Sequence, residues 1–171
     1  SYISSDELGD FRPLSAEMSP EGAGFTAQYF VQGNEQPILT RTEPSVDFMW
    51  EMKSPDASIP ADKFQEARFE MKFVPPVDGK YTFRFTAGGG IAYVYNNEWA
   101  GAPVTIAHPG KGEGTVSASL DLKKGVMLRL CLIYKKDKGD AAVRVEWQSP
   151  QTELAARQWK QIEPVSYTHL R

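Results

Sequence analysis

The tightest constraint on this chain is a hydrophobic alternation of period two. In ARFEMKFV, residues 67–74, Ala67, Phe69, Met71 and Phe73 fall on one face of an extended strand. Arg68, Glu70 and Lys72 fall on the other, so the segment suits a strand with one buried and one solvated face. KYTFRFTA repeats the pattern with Tyr81, Phe83 and Phe85, and IAYVYNN repeats it with Ile91, Tyr93 and Tyr95. FTAQYF, PILTRT, VDFMW, APVTIAH, TVSASLDL, VMLRLCLIY and AAVRVEW read as further strands. Glycine and proline turns such as VPPVDGK separate them. Only TELAARQWKQ, residues 152–161, reads as helix. Nine or ten short strands with so little helix predict an all-β fold, an antiparallel β-sandwich or barrel. The domain is expected at 23–150, with a polar lead-in or linker over 1–22 and a short helical or linker tail over 151–171.

A chain of 171 residues can bury roughly two thirds of its unfolded surface, which supplies a full core. The net charge of -3 and the lack of a basic stripe exclude a row of phosphate contacts, so no nucleic-acid partner is expected. No apolar run reaches the length of a membrane helix, and no membrane partner is expected either. Cys131 is the single cysteine, so no internal disulfide can form. Among the apolar neighbours of VMLRLCLIY it reads as a buried small hydrophobe. One cysteine with His108 and His169 poorly supplies a Cys–His pair or a zinc site. The opening SYISSDELGD has neither Met nor a signal segment and reads as excised from a longer protein. The closing VSYTHLR resembles translated sequencing-adapter read-through and is expected to be non-native.

Nothing in the sequence isolates a catalytic group. Glu66, Arg68, Glu70 and Lys72 share the polar face of one strand, and Asp121, Asp137 and Asp140 sit among turn formers. There is no G-x-S-x-G motif and no P-loop, and the glycines of FTAGGGIAYVYNN precede a strand where a dinucleotide site needs a helix. The expected catalytic, cofactor and metal assignments are therefore none. The aromatics Trp50, Tyr93, Tyr95, Trp99, Trp147 and Trp159 offer flat surfaces; Trp50 and Trp147 end strands and read as core. YVYNNEWAGAP gathers rings and polar groups in one place, as a saccharide needs: its C–H face stacks on a ring and its hydroxyls take polar partners. The alternative is a plain hairpin, with Asn96-Asn97 as a type I′ turn and Trp99 folded back as a lid.

Several segments, in order, resemble the PA14 domain. GFTAQYF is similar to its opening strand, PILTRTEPSVDFMW to its second segment and AAVRVEWQSP to its closing strand. IPADKFQEARFEMKFVPPVDGKYTFRFTA carries the most specific part, and the resemblance covers about residues 24–150. It implies a non-catalytic module similar to those of bacterial family 3 glycoside hydrolases, the β-glucosidases. Such a module binds carbohydrate or shapes the entrance to the active site, outside the cell or in the periplasm. The implied partners are a saccharide or glycoside substrate of a parent enzyme and an adjacent catalytic domain. A structural or protein-interaction module without a sugar site is the alternative. In lectin-type members two adjacent aspartates after FTA hold a Ca²⁺ that binds the sugar. The matching positions here are Gly88 and Gly89, which bring no side-chain oxygen to an ion that takes roughly six to eight. The expectation is a calcium-free site, with the glycines as a permissive turn beside an open surface. Its ligand-binding residues would be Gly88, Gly89, Tyr93, Tyr95, Asn96, Asn97, Glu98 and Trp99.

Overall fold

A computed structural model describes residues 10–96, 104–107, 112–150 and 153–162. The strands follow the alternation closely. They are β1 (Arg12–Pro13), β2 (Phe25–Val31), β3 (Leu39–Glu43), β4 (Asp47–Glu51) and β5 (Phe64–Phe73). After them come β6 (Gly79–Asn96), β7 (Val104–Ala107), β8 (Gly112–Leu122), β9 (Leu128–Lys136) and β10 (Ala141–Gln148). The helix α1 (Glu153–Ile162) closes the described chain.

All pairings between these strands are antiparallel, and β6 organises them. Its first half, up to Gly88, lies between β8 and β10, and β10 carries β1 and β4 on its far side. Its second half, from Gly90, lies beside β9, with β7 on its other edge; β5, β2 and β3 extend that layer. The two layers are thus halves of one curled all-β sheet that shares β6.

The alternating apolar side chains close on each other between the layers. Phe73 meets Tyr81 and Phe83 edge-on, each at 5.5 Å between ring centroids, and Trp147 stacks on Tyr81 at 5.9 Å. Towards the other end Trp50 stacks on Phe48 at 5.1 Å and meets Tyr134 edge-on at 5.8 Å. Trp50 and Trp147 are core residues, as their strand-end positions suggest. Trp159 and Ala155 are buried as well and seat α1 on the sandwich. Asp78 fixes that helix from outside: its amide donates to Gln158 Oε1 at 2.6 Å, and Gln158 Nε2 donates to its carboxylate at 2.9 Å.

Two local expectations differ from the structure. Residues 12–18 are seated on the sandwich, although the stretch is polar as a whole. Leu14 is fully buried, its amide donates to the Val145 carbonyl at 3.0 Å, and Met18 is buried too. Two apolar anchors are enough to fix a polar stretch. Cys131 is only half-buried. The alternation in β9 turns Leu130, Leu132 and Tyr134 inward and leaves Arg129, Cys131 and Ile133 on the outer face. The Cys131 sulfur there lies 3.6 Å from Glu70 Oε2.

Candidate functional site

The three glycines do not form a turn. Strand β6 runs 18 residues without interruption, and Gly88, Gly89 and Gly90 lie inside it. They mark the point where β6 leaves one layer for the other. Its register with β8 slips between Gly88 and Gly90, and Gly89 takes φ +63, a left-handed conformation at a bulge. Close approach explains the residue type. A Cβ on Gly89 would sit 2.6 Å from the Asp140 carbonyl oxygen, and one on Gly90 would strike the Lys135 carbonyl and the Tyr134 ring. All three glycines are buried, and Gly88 and Gly89 present backbone in place of side chains to the space beside them.

A second bulge stands on the opposite flank of β10. Ala142 faces Met49 and Ala141 faces Glu51, so Trp50 has no counterpart on β10; it lies on the inward face with Phe48. Glu51 itself adopts φ 58, a conformation rare outside glycine and held here by the pairing around it. The strand's own alternation, with Phe48 and Trp50 inward, leaves Met49 outside at 77% exposure, and Met52 is 64% exposed just beyond the strand.

Both bulges border one cavity of about 510 Å³ over the start of β10. Gly88, Gly89 and Ala142 line its base, Met49 and Glu51 one wall, and Lys138, Gly139 and Asp140 of the β9–β10 connection the other. Hydrogen bonds hold the base rigid. The Tyr134 hydroxyl donates to the Gly88 carbonyl at 2.7 Å, and the Asp137 amide donates to the Gly89 carbonyl at 2.8 Å. Burial pushes the Tyr134 pKa well above its ordinary value, so the hydroxyl remains a donor at neutral pH.

The residues at this cavity do not fit the calcium of the lectin-type members. Gly88 and Gly89 offer only carbonyls, both already accepting protein hydrogen bonds. Glu51 and Asp140 are the carboxylates on its walls. Among the described residues no group of three or more His, Cys, Asp or Glu gathers to hold a metal ion.

Of the residues expected to bind ligand, Gly88 and Gly89 line the cavity. Tyr93, Tyr95 and Asn96 lie in the second half of β6, in register with Ile133, Cys131 and Leu130; their side chains are outside the described part. Asn97, Glu98 and Trp99 lie outside the described residues. Met49, Glu51, Lys138 and Asp140 were not singled out from sequence as ligands. KKDKGD reads as a turn, and nothing in DFMWE marks the pairing with β10 that sets Met49 and Glu51 beside one cavity.

The family profile of the PA14 domain matches residues 23–156. No curated protein sequence matches the chain. Solved structures show the same fold at low identity. An anti-sigma factor domain-containing protein from Clostridium clariflavum is 23% identical with a TM-score of 0.65, over 83% of this chain and 48% of that one. A β-glucosidase from Kluyveromyces marxianus is 16% identical with a TM-score of 0.64, over 90% of this chain and 20% of that one. The epithelial adhesin 9 A domain from Candida glabrata, solved with Galβ1-4GlcNAc, is 15% identical with a TM-score of 0.52, over 83% of this chain and 90% of that one. The chain thus spans less than half the length of the first two.

Proposed function

The chain belongs to the PA14 domain family, and from that premise we propose that it serves as a non-catalytic accessory module of a secreted or periplasmic bacterial glycoside hydrolase of the β-glucosidase kind. It binds carbohydrate or shapes the entrance to the parent enzyme's active site, without calcium. The cavity between the two bulges carries this reading. It is concave, rigid at its base and walled by one apolar and three charged side chains, the mix that orients a polyhydroxylated ligand. Likeness to a β-glucosidase and to an adhesin solved with a disaccharide supports it. On the sequence reading, Tyr93, Tyr95 and Trp99 would stack on the sugar and Asn96, Asn97 and Glu98 would take its hydroxyls, with an adjacent catalytic domain as the protein partner.

Titration calorimetry and amide-shift mapping with methyl β-D-glucoside and cellobiose test the reading. Saturable binding in the millimolar range is expected, with shifts at Gly88, Gly89 and Ala142. No response at millimolar ligand overturns sugar binding. Turnover of nitrophenyl glycosides by this chain alone overturns the non-catalytic assignment. A protein-interaction module without a sugar site is the second reading, favoured by the exposure of Met49 and Met52.

A further inference from the structure

We infer that β8 is an open sheet edge through which this chain pairs with a second copy of itself. Strand β8 is 11 residues long, and among the described strands it is hydrogen-bonded to β6 alone. The other edges are guarded. β1 has 2 residues and contains Pro13, β7 has 4, and β3 and β4 have 5 each. Arg41 on β3 is drawn to the β4–β5 loop, and β4 ends on the left-handed Glu51. Short strands, prolines and cations keep sheet edges from pairing with other chains. From Thr115 to Leu122, β8 has no proline, lysine or arginine, and Asp121 is its single charge.

The two faces of β8 are sharply divided. Thr115, Ser117, Ser119 and Asp121 are exposed on the outer face. Thr115 and Ser119 share hydrogen bonds with Thr86 at 3.2 Å and Thr82 at 3.1 Å, which hold β8 flush with β6. Val116, Ala118, Leu120 and Leu122 pack against the core yet are only half-buried, because no described strand lies beyond them.

A second copy fits this edge because the strand is complementary to itself. Antiparallel pairing about a two-fold axis at Ala118 gives an isologous contact over residues 114–122. On the inner face Val116 meets the partner's Leu120, so the apolar row runs on unbroken into the second copy. On the outer face Ser117 meets the partner's Ser119 and Thr115 meets the partner's Asp121, so hydroxyls find polar partners and no like charges are opposed. A slip of one residue would set the polar face against the apolar one. The open edge gains about eight backbone hydrogen bonds. A single strand pair is small beside the roughly 1,200 Å² of stable interfaces, so the dimer is weak, with a Kd on the order of 100 μM.

Sedimentation equilibrium of the full chain from micromolar to millimolar concentration tests the pairing, with thermal melts as a check on folding. Wild type is expected to pass from monomer to dimer. Ser117 and Ser119 are exposed, so Ser117→Lys/Ser119→Lys and Ser117→Glu/Ser119→Glu are expected to keep the wild-type Tm. Each double variant sets like charges opposite one another across the two-fold axis and is expected to weaken dimerisation about tenfold. An equimolar mixture of the two sets lysine against glutamate and is expected to dimerise at least as tightly as wild type. Wild type that stays monomeric to millimolar concentration overturns the inference, as it would if another segment of the chain or a different protein covered the edge. A dimer that both double variants leave unchanged, or a mixture no tighter than either variant alone, puts the contact elsewhere and overturns it too.

Discussion

At the scale of single residues, the glycine run is a matter of space between backbones. Gly90→Ala drives a methyl group into the Lys135 carbonyl and the Tyr134 ring, neither of which can yield without moving β9. Overpacking of this kind costs about 3 kcal/mol, and urea denaturation of the variant should show it. Gly89 is the harder position at which to restore the aspartate of the lectin-type members. A side chain there meets both a left-handed φ of 63 and the Asp140 carbonyl at 2.6 Å. The Gly88→Asp/Gly89→Asp double variant is therefore expected to lose stability and to gain no calcium affinity; calcium titration followed by calorimetry decides it. Trp99 is the residue whose loss should cost most of the stacking contribution to sugar binding. A Trp99→Ala variant that binds cellobiose as wild type does would move the aromatic contact elsewhere.

At the scale of elements, strands were legible wherever one face meets the core and the other meets water. Phe69, Met71 and Phe73 against Arg68, Glu70 and Lys72 define β5 without ambiguity, and all three apolar residues are buried. The continuity of β6 was not legible. Three glycines carry no side chain to alternate, so the local signal is that of a turn, and only the partners on β8, β9 and β10 make it a strand that changes layers. The cavity was half legible for the same reason: the resemblance to the PA14 domain set Gly88 and Gly89 where lectin-type members have aspartates, but bulges are set by pairing across strands distant in sequence. The loop between β4 and β5 is tied down by Arg41, which donates to Glu43 and Asp56, each at 2.9 Å, and to the Pro55 carbonyl at 3.1 Å. Glu43 also accepts from the Tyr29 hydroxyl, whose pKa burial drives upward. The seating of α1 is expected to depend on pH. Hydrogen bonds from the Lys124 amide and from Gln158 hold the Asp78 carboxyl below the usual carboxylate range. A depressed folded pKa means that the contribution is present above the ordinary aspartate value of about 4 and fades as pH falls through the folded value. Trp159 fluorescence should report loosening of α1 on acidification below that value, and Asp78→Asn should remove the pH dependence.

At the scale of the whole molecule, the shared strand makes the two layers one cooperative body. Neither layer can open while β6 stays paired in the other, so far-UV circular dichroism and tryptophan fluorescence should trace a single coincident melt. Two separated transitions would show that the layers are independent. The pairing of β1 with the end of β10 reaches further. Arg12 stands opposite Trp147 in antiparallel register, so the paths into β1 and out of β10 run side by side, about 4.8 Å apart, at one pole of the sandwich. Beyond β10 the chain returns onto the body as α1, seated by Trp159 and clasped to Asp78 through Gln158, so a pull on its far end meets that helix before it reaches the sheet.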